Sequence, residues 1–283
     1  MLTIGSLFSG IGGLELGLER TGGFKTIWQC EVDDYASAVL RKHWPGVPNL
    51  GNITKVEWDK VEKPDLICGG FPCQDISNAG KKAGIKEGTR SGLWFEFHKA
   101  ICALRPRYAL IENVSAITNN GLHIVLAGLA EAGYNAEWFT LQAAEVEAPH
   151  RRERLFIVSR RQPQSLIPDT DNNRCFYGQT KVKPTEDGKY AQRDTSASRT
   201  NVSNTESARF TGGIIGSAQE QSRRSYTRNT QHGGWWAVEP NVGRVANGVP
   251  SRVDRIKCLG NAVVPQVAQV IGEAIIEAEG IKC

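Results

Sequence analysis

Two rhythms of apolar residues alternate along the first 160 positions. Short unbroken runs bounded by turn residues mark strands buried on both faces, whereas apolar positions three and four apart mark helices with one buried side. "MLTIGSLFSG" predicts a first strand, and "GGLELGLERTGG" a helix with Leu14, Leu16 and Leu18 on or near its buried side and glycines at its end. "FKTIWQCE" predicts strand two, followed by a helix from Asp33 to about His43 with the acids Asp33 and Asp34 at its positive N-terminal end. "KPDLICGG" and "YALIEN" are further strands, separated by the helix "SGLWFEFHKAICALRP", which Pro106 stops. A helix from about Leu122 to Ala132 and the strands "AEWFTLQAAE" and "ERLFIVSR" complete the series. Strands alternating with helices predict the α/β class, with a doubly wound, mostly parallel sheet.

From about Gln162 to His232 both rhythms stop. The segment is rich in Ser, Thr, Asn, Gln and Arg, and "IPDTDNNR", "VSNTESAR" and "RNTQHGG" are at most a degenerate repeat. Such a stretch buries little of its own surface, which suits a linker or a surface that orders on a partner. Trp235 and Trp236 stand at its end as an anchor or as the cap of a core. Order then returns, and a final helix starting at Gly260 or Asn261 carries Val263, Val264, Val267, Val270, Ile271, Ala274 and Ile275 at helical spacing. The predicted organisation is a main domain over 1–161, a small polar and basic region over 162–244, and a C-terminal return over 245–283.

Charge sharpens this division. Residues 1–149 carry 14 Lys/Arg against 17 Asp/Glu, a net −3, while residues 150–257 carry 19 against 10, a net +9. A basic region beside an acidic one suits a polyanion partner, or simply a solvated loop. The seven cysteines are odd in number and irregularly spaced, which predicts reduced thiols. Cys68 and Cys73 have no second pair and no His nearby, so no metal site is expected. No apolar run long enough to span a bilayer and no secretory leader is visible, so the expectation is a cytoplasmic protein.

Candidate chemistry gathers at one edge of the predicted sheet. Gly10, Gly12 and Gly13 follow strand one at the mouth of a helix, where backbone N–H groups can meet a ligand, but G-x-G-G is not the full dinucleotide fingerprint. With Glu31 ending strand two as the partner of a ribose, the pattern predicts a nucleoside cofactor without a pyrophosphate. Cys73 follows "LICGGFP" just past the carboxyl end of a strand, where open α/β sheets place ligands and chemistry, and this is a position for a nucleophile. Glu112 ends a buried strand, where an idle charge is costly. Arg152 and Arg154 alternate to the same side of their strand, so the two can act together on an anion or a carboxylate.

Read in order, Phe8-Ser9-Gly10-Ile11-Gly12-Gly13, Gly70-Phe71-Pro72-Cys73-Gln74-Asp75-Ile76-Ser77, Glu112-Asn113-Val114, Arg152-Glu153-Arg154 and Gly260-Asn261-Ala262-Val263-Val264-Pro265 resemble the motifs of the DNA (cytosine-5) methyltransferases. The closing "GRVANGVPSRVDRIKCLGNAVVP" is similar to members carried by bacteriophages and prophages. The resemblance covers residues 1 to about 160 and 245 to 275. It implies a Rossmann-like methyltransferase fold, S-adenosyl-L-methionine as cofactor, and double-stranded DNA as partner, and it leaves open a cognate restriction endonuclease. It implies that Cys73, following Pro72, adds to cytosine C6, that Glu112 binds N3 and the exocyclic amine, and that Arg154, helped by Arg152, steadies the glutamate and the base O2. By the same resemblance Phe8, Gly10, Ile11, Gly13, Glu31, Val32, Asn52, Ile53, Gly69, Pro72, Asn261 and Val263 hold the cofactor. Ser77, Lys81, Lys82 and Arg90, on a loop that closes over a flipped base, meet DNA, as do Arg223 and Arg224 in the small target-recognition region. The expected assembly is a monomer. One departure is Asn52, which stands where members usually place an Asp against the adenine amine and can accept that bond without the charge. An RNA enzyme of the same family and an inactive relic are the alternative readings. A thiol hydrolase would need His98 or His150 near Cys73, and neither falls in a triad pattern.

Overall fold

The structure, a computed structural model, describes residues 1–72, 92–163 and 251–281. Its centre is a six-stranded sheet built from β1 (Leu2–Leu7), β2 (Phe24–Cys30), β3 (Leu66–Gly69), β4 (Tyr108–Val114), β5 (Tyr134–Gln142) and β6 (Glu153–Arg161), in the order β2-β1-β3-β4-β6-β5. β2, β1, β3 and β4 pair in parallel, and β6 is antiparallel to both of its neighbours. All six strands stand where the apolar runs predict them. The order reverses between β1 and β3, which makes the carboxyl ends of those strands the natural crevice of the fold.

Alternation along the central strands explains their unbroken apolar runs. Leu66, Cys68, Tyr108, Leu110, Phe156 and Val158 enter one core cluster, while Ile67, Ala109, Ile111, Leu155 and Ile157 enter another on the opposite face. The first cluster is closed by α1 (Gly13–Glu19) and a C-terminal helix, and the second by α3 (Leu93–Leu104) and α5 (Leu122–Glu131). α2 (Asp34–His43) follows β2, with Asp33 accepting from Tyr35 N and Ala36 N as its N-cap. α4 (Ile117–Asn120) is a single turn before α5.

Four expectations need correction. Leu16 is 38 % exposed, because only Leu14 and Leu18 of that trio face the sheet. The final helix does not begin at Gly260 or Asn261: α6 (Arg252–Asn261) ends there, and α7 (Pro265–Ala278) begins after a bend. Proline disfavours a helical conformation in the residue before it, Val264 is extended accordingly, and Pro265 itself opens α7 at a position where no N–H is needed. Arg252–Ala278 together are long and apolar enough to cross a membrane by length and composition, yet the stretch is broken at that bend and its most apolar part is half buried. Cys30, Cys68 and Cys258 carry free thiols, but Cys102 is disulfide-bonded, a proximity that spacing along the chain does not encode.

Candidate active site

Strand register brings the predicted edge together. Leu7 pairs with Cys30 and with Gly69, and Gly69 with Ile111, so Glu31, Phe8, Gly70 and Glu112 each lie one residue beyond a common row. Glu112 pairs with Phe156 and Val114 with Arg154, which sets Arg154 diagonally across from Glu112 on the same face. Arg154 Nε meets Glu112 Oε1 at 3.0 Å. The Glu112 carboxylate stands directly over Gly70, where a Cβ would come within 2.4 Å of Oε2. Asn113 donates from Nδ2 to the Phe71 carbonyl at 3.2 Å, fixing the backbone that leads to Pro72. Cys73 is the next residue in the chain.

Burial pushes the Glu112 carboxyl up to about 7, with Arg154 and then Arg152 pulling it only partly back. Such a group exchanges a proton near neutrality, the property wanted of a general acid or base. Arg152 does not join Arg154 on this carboxylate. Its guanidinium donates instead to the carbonyls of Gly260 and Ala262, at 2.7 and 2.6 Å, from a backbone with φ of 31°. That unusual backbone, directly before β6, breaks the alternation from which a shared direction was expected.

On the other side of the crevice, the glycine loop turns out of β1. Gly10 and Gly12 have positive φ, and nothing lies within 4 Å of where a Cβ of Gly10 would stand. Phe8, also at positive φ, stacks on Phe97 with ring centroids 6.4 Å apart. Glu31 organises the loop: its Oε2 accepts from Gly10 N at 2.7 Å and its Oε1 from Val32 N and Asp33 N. Val263 presses its carbonyl on Gly13, where a Cβ would come within 2.4 Å. Val32 is 69 % exposed, an apolar side chain left at the rim. The open backbone at Gly10, the Glu31 carboxylate and the apolar rim suit a nucleoside-sized ligand.

The remaining predicted residues divide. Ile53 is buried and Gly69 lies inside β3, while Ile11 and Pro72 are partly buried at the edge. Asn52 turns its Oδ1 to Thr54, accepting from the backbone N and the hydroxyl. Asn261 is exposed at the end of α6, and of the returning segment it is Val263 that reaches the loop. His98 is buried and bonded through Nε2 to the Gly128 carbonyl, so it is a core histidine. Cys73, Ser77, Lys81, Lys82, Arg90, Arg223, Arg224, Trp235 and Trp236 lie outside the described residues, as does nearly all of the 162–244 region. Asn113 and Gly70 stand within the quoted motifs with no role assigned from sequence, and the structure gives each one, Asn113 on the Phe71 carbonyl and Gly70 under the Glu112 carboxylate.

The family profile of the C-5 cytosine-specific DNA methylases matches residues 2–241. The chain belongs to this family. It is similar to the type II methyltransferase M2.BsuMI of Bacillus subtilis, at 40% identity over 65% of this chain and 46% of that protein. It is also similar to the type II methyltransferase M.Bsp6I of a Bacillus species, at 32% identity over 56% of this chain and 52% of that protein. The chain thus spans about half the length of the curated relatives it matches. A solved structure of a Spodoptera frugiperda DNMT2 variant aligns with a TM-score of 0.49 and 22% identity, covering 58% of this chain and 51% of that one. Among the described residues no His, Cys, Asp and Glu cluster that could hold a metal is present.

Proposed function

We propose that this methylase transfers a methyl group to C5 of cytosine in double-stranded DNA, with S-adenosyl-L-methionine as donor. The observation that carries the reading is the buried Glu112, paired with Arg154 and set over Gly70, three residues from Cys73 in sequence. When bound, S-adenosyl-L-methionine supplies an electrophilic methyl group. Glu31, the open backbone at Gly10, and Gly13 packed under Val263, with the Val32 rim, would hold it, with Phe8, Ile11, Asn52, Ile53, Gly69, Pro72 and Asn261 around them.

Cytosine C5 is too weak a nucleophile to take a methyl group directly. The Cys73 thiolate adds at C6, forming an S–C6 bond, and the displaced ring electrons make C5 nucleophilic. Glu112 in its protonated form donates to N3, and the Arg154 guanidinium offsets charge at the carboxylate and the base O2. After C5 gains the methyl, loss of its proton and rupture of the S–C6 bond restore the ring and free the thiolate. C6 is inaccessible inside the stack, so the target base is flipped out of the duplex. Ser77, Lys81, Lys82 and Arg90 meet the DNA around it, and the 162–244 region, with Arg223 and Arg224, supplies target recognition. The type II relatives support a restriction–modification setting with a cognate endonuclease, and the phage-like closing motif a mobile-element origin. We place the protein in the cytoplasm as a monomer.

The test is transfer of labelled methyl to unmethylated duplex DNA, with bisulfite sequencing of the product. Protected cytosines in one fixed context are expected, and Cys73→Ser is expected to abolish transfer while still binding S-adenosylhomocysteine. Turnover by that variant above background would sink the nucleophile assignment. Methylation of tRNA but not of DNA would move the activity to RNA.

A further inference from the structure

α6 lies on the molecule the wrong way round for a helix held by apolar packing. Val253, Ile256 and Leu259 are 78, 58 and 65 % exposed, and no residue of the helix is fully buried. Its polar side makes the contacts instead, which reverses the usual amphipathic arrangement. Lys257 Nζ donates to Asp33 Oδ2 at 2.6 Å, and the carbonyls of Gly260 and of Ala262, just beyond the helix, accept from Arg152. Asn261 lies one turn on from Lys257 and so on its side, and Cys258 is the next residue, close enough to feel the charges of both Asp33 and Lys257. Cys258 is a free, partly buried thiol that burial and then the Asp33 carboxylate hold above its ordinary pKa, with Glu31 acting in the same direction.

The acid that Lys257 grips is part of the cofactor edge. Asp33 caps α2, its own N–H is held by Glu31 Oε1, and it follows the exposed Val32. The Lys257 ammonium, then the Ala36 N–H, keep its carboxyl below the usual range, so it is ionised at neutral pH. We infer that Lys257 and Asp33 are positioning residues: their ion pair latches α6 across the Glu31–Val32 end of the pocket, and with Arg152 holds the Val263 bend against Gly13. The inference rests on the cofactor reading given above.

The experiment measures S-adenosylhomocysteine binding by calorimetry, together with peptide-resolved alkylation of Cys258 by N-ethylmaleimide, in wild type, Lys257→Ala and Lys257→Arg. In wild type the ligand is expected to slow alkylation of Cys258. Lys257→Ala is expected to weaken binding about two- to five-fold, the range of an exposed ion pair, and to speed alkylation without ligand. Lys257→Arg should restore both. S-adenosylhomocysteine carries no net charge, so raising the salt to about 0.5 M should move wild type toward Lys257→Ala and leave that variant unmoved. Equal affinity and equal Cys258 reactivity in wild type and Lys257→Ala would overturn the latch alone. Failure of wild type to bind the ligand at all would overturn the cofactor reading and the latch with it.

Discussion

At the scale of single residues, the crevice concentrates carboxyl groups whose surroundings oppose their charge. Glu112 is raised to about 7, and its Arg partner ties it to chemistry. Glu15, on the first turn of α1 behind the glycine loop, is also raised to about 7, because burial outweighs the nearby Ser6 and Ser9 hydroxyls. A carboxyl that binds its proton more tightly when folded gives stability that is complete below its unfolded pKa of 4.5 and is lost as pH rises through 7. The cost of ionising Glu15 is on the order of 3 kcal/mol. Glu15→Gln removes this term and leaves Glu112 in place. Thermal melts are expected to show the variant gaining stability over wild type between pH 5 and pH 8, and a difference constant across that range would refute the assignment. Glu112 is legible from sequence as an acid ending a buried strand, whereas the helical spacing of Leu14, Leu16 and Leu18 says nothing of Glu15. Its place against Ser6 of β1, Ser9 of the glycine loop and Cys68 of β3 makes the difference.

Among elements, the α1–α7 contact governs the cofactor edge. Gly17 meets the Pro265 carbonyl and Ala268 so closely that a Cβ would stand 2.2 and 2.6 Å from them. Gly17→Leu must part the two helices, and overpacking of this kind costs about 1–3 kcal/mol. Because α7 follows directly on Val263, the same change is expected to weaken S-adenosylhomocysteine binding beyond what the lower melting temperature alone explains. Full affinity in a destabilised variant would show that the bend is set by Arg152 and Lys257 instead. Sequence periodicity identified both helices, but placed the start of the second four or five residues too early. The apolar spacing runs on through Val263 and Val264, and only the backbone restriction imposed by Pro265 ends it.

For the whole molecule, the last helix in sequence completes the first core. Val267, Val270, Ile271, Ala274 and Ile275 are buried against α1 and the sheet, and Glu279 just after α7 takes the Tyr108 hydroxyl at 2.6 Å together with Arg107 and Arg160. Burial of one such aliphatic side chain is worth about 1.5–3 kcal/mol, so several together are comparable with the 5–15 kcal/mol that holds a typical domain folded. A chain ending at Val264 is therefore expected to show no cooperative unfolding by circular dichroism, and a sharp transition in it would disprove this role of α7. The sequence by itself determined the six strands, the sheet edge that carries the chemistry, and the family, because two-sided burial forces unbroken apolar runs and the motifs sit at their ends. Tertiary structure decided which side chains meet there. The pairing of Glu112 with Arg154 but not Arg152, the clearance over Gly70, and the grip of Lys257 on Asp33 join residues 42 to 224 positions apart or hang on a single backbone angle, and local pattern carries no information about either.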